Sequence, residues 1–154
     1  MRKTKNRLQM EQLDAKLKLI SVLDEVTMPA KGWVHAIRTV LNMSLRQLAA
    51  RLKITAQSMR EMEQREMEGS ITIKGLQEAA KALDMKLVYG FVPKDGSLEE
   101  LINKRAREIA TKIVMRTSHT MKLEDQGNSE QRLQKAIEER ADELKRELNK
   151  ILWD

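Results

Sequence analysis

The chain has 154 residues, 29 Lys+Arg against 23 Asp+Glu for a formal net charge of +6 at pH 7, and no cysteine. That length suffices for one domain with appendages, and the lack of thiols excludes disulfide scaffolds and cysteine-based zinc sites. An aromatic content of 3% argues against a single-strand binder built on base stacking, and no run of about 18 apolar residues suggests a membrane span.

Residues 1–29 read as a basic arm, with Arg2, Lys3 and Lys5 available to phosphates, running into an amphipathic helix over 5–25. Leu13, Leu17, Ile20 and Leu23 lie on one side of that helix. Thr27, Pro29 and Gly32 break it, and Pro29 can open the next element.

Residues 30–84 read as a helix-turn-helix DNA-binding domain. A first helix over about 32–42 carries Val34, Ile37, Val40 and Leu41, with Trp33 near its start. Ser44 then caps a helix in which Leu45, Leu48, Ala49 and Leu52 share a buried face. Ile54 plugs the turn, Thr55 caps the next helix, and Met59 and Met62 face inward. Gln57, Arg60, Glu61 and Gln64 form the opposite stripe, with Ala56 at its head. Arg60 can pair with guanine O6 and N7, Gln57 with adenine N6 and N7, and Glu61 can accept from cytosine N4. Ser44, Gln47, Thr55 and Ser58, at the two helix starts, are expected on phosphates. The same stripe also fits the solvated face of an ordinary bundle helix. Charge favours the first reading: residues 1–96 hold 17 Lys+Arg and 11 Asp+Glu, whereas residues 97–154 hold 12 of each. Thr72 begins a further helix with Leu76, Ala79, Ala80 and Leu83 inward.

Residues 85–96 read as a short strand, Met85–Val92, and a linker closed by Pro93 and Gly96. Residues 97–154 read as a helical extension. One helix covers 97–118, with Leu98, Leu101, Ile102, Ile109 and Ile113. The other covers 129–152, with Ile137, Ala141, Leu144, Leu148 and Ile151 in a narrow seam. These helices either pack on each other and on helix 5–25, or offer the 137–151 seam and the strand, paired with its symmetry mate, as an interface.

Enzymatic readings have little support. His35 and His119 are the only histidines and lie on unrelated segments, no glycine-rich phosphate loop is present, and no metal or other cofactor is expected.

The stretch Leu45–Glu63 (LRQLAARLKITAQSMREME) resembles the Cro/phage-repressor (XRE-type) helix-turn-helix family. The resemblance implies a mainly α protein: a five-helix DNA-binding domain whose third helix enters the major groove, here with an N-terminal helix, one short β-strand and a C-terminal two-helix extension. It also implies a homodimer and a structural ion pair between Arg38 and Glu63. Lys53 and Asn42 stand where the family favours glycine, Lys53 at a position that tends to need positive φ. A second resemblance spans nearly the whole chain. GWVHAIR (32–38), LVYGFVP (87–93), SHTMKLEDQ (118–126) and the terminal Trp153-Asp154 are similar to the "mobile mystery protein A" family, an XRE-type subgroup encoded beside a Fic-domain protein. This implies a cytoplasmic, nucleoid-associated, sequence-specific regulator of double-stranded operator DNA that autorepresses a toxin–antitoxin-like operon. The alternative is an antitoxin or scaffold that restrains the Fic-domain partner through the helical tail. The Ser/Thr-x-x-x-Glu-Gly/Asn element of active-site-blocking Fic antitoxins is absent, because the residue four before Glu68 is Gln64.

Overall fold

The computed structural model describes residues 2–122 and 130–154. Among these the protein is mainly helical, with seven α-helices and no strand. No described helix is long and apolar enough to cross a membrane. The chain forms two compact units, residues 25–90 and residues 1–24 with 91–154.

The unit 25–90 contains α2 (Trp33–Val40), α3 (Leu45–Leu52), α4 (Ala56–Glu68) and α5 (Ile73–Ala82). Three of the four begin at a side-chain hydroxyl. Ser44 accepts from the Gln47 N–H while the Gln47 side chain returns to the Ser44 N–H, a complete capping box. Thr55 accepts from Ser58 N–H and Thr72 from Gly75 N–H. Each such cap contributes about 1 kcal/mol. Two left-handed residues stop the helices: Lys53 (φ 57°) ends α3 and Gly69 (φ 78°) ends α4. Lysine at 53 costs roughly 1–2 kcal/mol relative to glycine, which the packing of Ile54 and its neighbours offsets. Only Lys53–Thr55 therefore separate α3 from α4. The core beneath them joins Leu48 and Met59, both fully buried, to Val34, Ala49, Ala79 and Leu83.

Two expectations for this region fail. The unit holds four α-helices rather than five, and the segment expected as a strand, Met85–Val92, has no ladder. Met85 N–H still closes the end of α5 on Ala80 O, but no backbone hydrogen bond follows until Gly96. Pairing needs a second strand, and none exists among the described residues. Val40 is 86% exposed and Leu41 is also exposed. Val40 lies off the Val34–Ile37 face, and the chain turns out of α2 at Asn42 (φ 55°), leaving both side chains in solvent.

The other unit contains α1 (Arg2–Ile20), α6 (Leu98–Lys122) and α7 (Glu130–Glu147), and a 3-10 turn over Ser21–Glu25 follows α1. Ala106, Ile109 and Ala110 of α6 meet Ile137, Ala141 and Leu144 of α7; the alanines let the two helices approach closely. The seam of α7 is thus engaged inside its own unit. On α1, Leu13 is exposed, as is Leu23 in the 3-10 turn that follows it, and Asp14 takes the inward place between Met10 and Leu17. The reason is polar. The Asp14 carboxylate accepts from Leu98 N–H (2.7 Å) and Glu99 N–H (3.3 Å), capping α6 from another helix.

The seam also ends earlier than its spacing suggests. Leu148 turns left-handed (φ 44°), and Asn149 caps a 3-10 turn over Lys150–Trp153. This change of register buries Leu152 completely and leaves the expected seam residue Ile151 38% exposed. Arg105 fastens the turn by donating to the main-chain oxygens of Leu152 and Asp154. The segment His119–Gln126 has its side chains outside the described residues.

Candidate nucleic-acid interface

Helix α4 has two unlike faces. Met59, Glu63 and Glu66, spaced four and three residues apart, are buried. Ala56, Gln57, Arg60, Glu61 and Gln64 are exposed on the other side. Among the described residues the side chains of Gln57, Arg60 and Glu61 make no hydrogen bond or ion pair, whereas Gln64 donates to Glu68 Oε1 at 2.7 Å. The outward stripe thus presents a free amide, a free guanidinium and a free carboxylate within two turns.

The helix starts offer further donors, unequally. Ser44 Oγ accepts from Gln47 N–H and keeps its own proton to donate. Gln47 has its carbonyl on Ser44 N–H and its NH2 free. Thr55 Oγ1 accepts from Ser58 N–H and donates to Ser58 Oγ at 2.9 Å, so Thr55 is fully engaged and Ser58 retains the free O–H. Arg2 and Lys5 are exposed on α1, which is helical from Arg2 onward instead of opening with an irregular arm; no breaker occurs before it. They belong to the unit 1–24 with 91–154, and the side chain of Lys3 lies outside the described residues.

This division revises the charge argument. Residues 25–90 carry ten Lys+Arg and seven Asp+Glu, and the other unit carries 19 and 16, so each has a net charge of +3. Within 25–90, however, two of the seven acids are Glu63 and Glu66, which are buried. The solvent-facing surface of this unit is more basic than its composition.

Both buried acids hold α4 to α2. Arg38 grips Glu63 with Nε to Oε1 at 2.5 Å and a terminal N–H to Oε2 at 3.2 Å, and gives its remaining terminal nitrogen to Met43 O at 2.9 Å. His35 Nδ1 lies 3.0 Å from Glu63 Oε2. An ionised carboxylate only accepts, so Nδ1 carries the proton and donates. The 3.4 Å approach of Arg38 to the same nitrogen then joins two donors and is not a hydrogen bond. Burial pushes the Glu63 carboxyl upward, but the hydrogen bonds from Arg38 and His35 and their charge outweigh it, holding the group below the ordinary glutamate range.

Glu66 is 4% exposed, and its Oε1 accepts from Val34 N–H at 2.9 Å. Val34 is the second residue of α2, whose cap position is Gly32 and which has no side-chain cap of its own. Glu66 supplies that cap from α4. Its Oε2 has no hydrogen-bond partner among the described residues. The roles of Gly32, His35 and Glu66 at this junction are not among the sequence expectations. A signal was available for Glu66: it continues the three- and four-residue spacing of Met59, Met62 and Glu63 onto the buried face. Gly32 at a helix start, where Ser, Thr or Asp is usual, likewise points to a cap supplied from elsewhere. No group of three or more acidic or histidine side chains converges as a metal site among the described residues.

Compared with known proteins, the chain matches no family model, no curated protein and no solved structure.

Proposed function

We propose that this protein is a sequence-specific regulator of XRE type that binds double-stranded DNA with α4 in the major groove. One observation carries the reading: Gln57, Arg60 and Glu61 are exposed, and unengaged among the described residues, on a helix whose opposite face is pinned by Met59, Glu63 and Glu66. Amide, guanidinium and carboxylate are the groups that match adenine, guanine and cytosine edges. A pinned helix keeps them in register. Ser44, Gln47 and Ser58 are the phosphate donors at the helix starts. The protein acts as a homodimer with two α4 helices in successive major grooves, about 34 Å apart. The likeness of residues 32–38, 87–93 and 118–126 to the mobile mystery protein A family supports a cytoplasmic autorepressor of an operon shared with a Fic-domain protein.

The test is a footprint on the DNA upstream of the protein's own gene, with and without the neighbouring gene product, joined to selection from a random duplex library. The expected result is a protected site with two related half-sites about one helical turn apart. Binding that ignores sequence, or no binding at all, rejects the proposal. The reading in which a tail seam grips a Fic-domain partner gains nothing, because Ile137, Ala141 and Leu144 of that seam are already buried against α6.

A further inference from the structure

We propose that Glu66 is a positioning residue for the reading face of α4: its buried carboxylate, seated between the Val34 N–H and the bare backbone of Gly32, sets the rotation of that helix and hence where Gln57, Arg60 and Glu61 point. The inference rests on the reading of α4 as the DNA-contacting helix.

Three observations converge on Glu66. It is buried while its neighbours Arg65 and Met67 are exposed, and a carboxylate is costly to bury unless something holds it there. What holds it is the start of α2: Oε1 lies 2.9 Å from Val34 N, one of the first-turn donors without a partner inside the helix. The positive end of the α2 dipole adds to the attraction. The seat also exists only because residue 32 is glycine. A Cβ there would lie 2.5 Å from Glu66 Oε1 and 2.9 Å from its Cδ.

Glu66 does not act alone. Glu63, one turn earlier on α4, takes Arg38, one turn later on α2. Two attachments a turn apart fix both the axial position and the rotation of one helix against another, whereas a single attachment leaves a pivot. The rotation matters at the tips. With side chains an α-helix is about 10–12 Å across, so turning it by roughly 20° moves an outward group by about 2 Å, enough to break a hydrogen bond to a base.

The unpartnered Oε2 guides the test. Glu66→Gln keeps a carbonyl oxygen for Val34. Glu66→Asp keeps the charge but is one methylene too short to reach Val34 unless α4 shifts. Glu66→Ala keeps neither. In the full-length protein, two quantities are measured wherever circular dichroism shows the variant folded: exchange protection of the Val34 amide, and the ratio of affinities for the selected duplex and a random duplex. The expected result is a loss of protection and a roughly tenfold or greater fall in the ratio for Glu66→Asp and Glu66→Ala, with random-duplex affinity unchanged; Glu66→Gln recovers most of both. If Glu66→Ala does not fold, Glu66→Asp decides. A folded Glu66→Asp that retains the wild-type ratio and selects the same sequence overturns the proposal, and Glu66 then serves stability alone. A wild-type protein without sequence preference is a different failure: it removes the DNA reading, and the positioning role with it.

Discussion

The Glu66 carboxylate stands where a side chain on residue 32 would have to go, 2.5 Å from the place a Cβ would occupy. Gly32 also has φ 86° and ψ 166°, a region essentially reserved for glycine. Gly32→Ala therefore meets two independent penalties. The backbone alone costs about 1–3 kcal/mol, and the clash with Glu66 adds to it. Urea denaturation should show a lower midpoint with an unchanged slope. The double variant Gly32→Ala/Glu66→Ala should be less destabilised than the sum of the singles, because removing Glu66 clears the clash. Strict additivity would show that the two residues do not compete for that space.

Glu63 makes stability depend on pH. Its folded pKa lies below its unfolded value, so the unfolded chain takes up the proton first as pH falls. The stabilisation is fully present above the unfolded glutamate range and is lost as pH drops through the folded one. Denaturation midpoints measured from neutral into acid should decline through that window, and Glu63→Gln should flatten this part of the decline while lowering stability at neutral pH. Arg38→Met should be worse than Glu63→Gln at neutral pH, at about 3–5 kcal/mol, because it strips the buried carboxylate of both guanidinium hydrogen bonds and leaves it resting on His35.

Arg60 separates recognition from folding. It is exposed and makes no ion pair among the described residues. Arg60→Ala should leave the thermal midpoint within about 1 °C of wild type while weakening operator binding by roughly 1–3 kcal/mol and relaxing one base position. Competitive anisotropy against a panel of single-base variants reads both. Unchanged operator affinity would remove Arg60 from the interface.

Leu152 and Ile151 test the end of the helical tail. Leu152 is completely buried and Ile151 is 38% exposed. Leu152→Ala should cost about 2–5 kcal/mol through the cavity it leaves, and Ile151→Ala well under half of that. The reverse order, seen in thermal melts of the two variants, would mean that α7 continues past Glu147 and keeps the regular seam.

The positions that could be read from the chain alone are those governed by neighbours within a few residues. Ser44, Thr55 and Thr72 announce the helix starts, since a cap involves only a hydroxyl and an amide three positions on. The periodicity of Leu48, Ala49 and Met59 gives the buried face, and the outward stripe of Gln57, Arg60 and Glu61 is simply its complement; the left-handed turns at Asn42 and Lys53 follow only from the family resemblance. Position along a helix also suffices to place Arg38 and Glu63 within reach of each other once a family resemblance aligns them. What the linear pattern could not supply are contacts between residues far apart in the chain. Asp14 capping α6 and Glu66 capping α2 each satisfy a backbone donor with a partner that no local spacing specifies. The same cause removes the strand at Met85–Val92, whose β-forming side chains state a preference that only a neighbouring strand can realise, and shifts burial from Ile151 to Leu152, because one left-handed residue changes which side chain meets a distant helix.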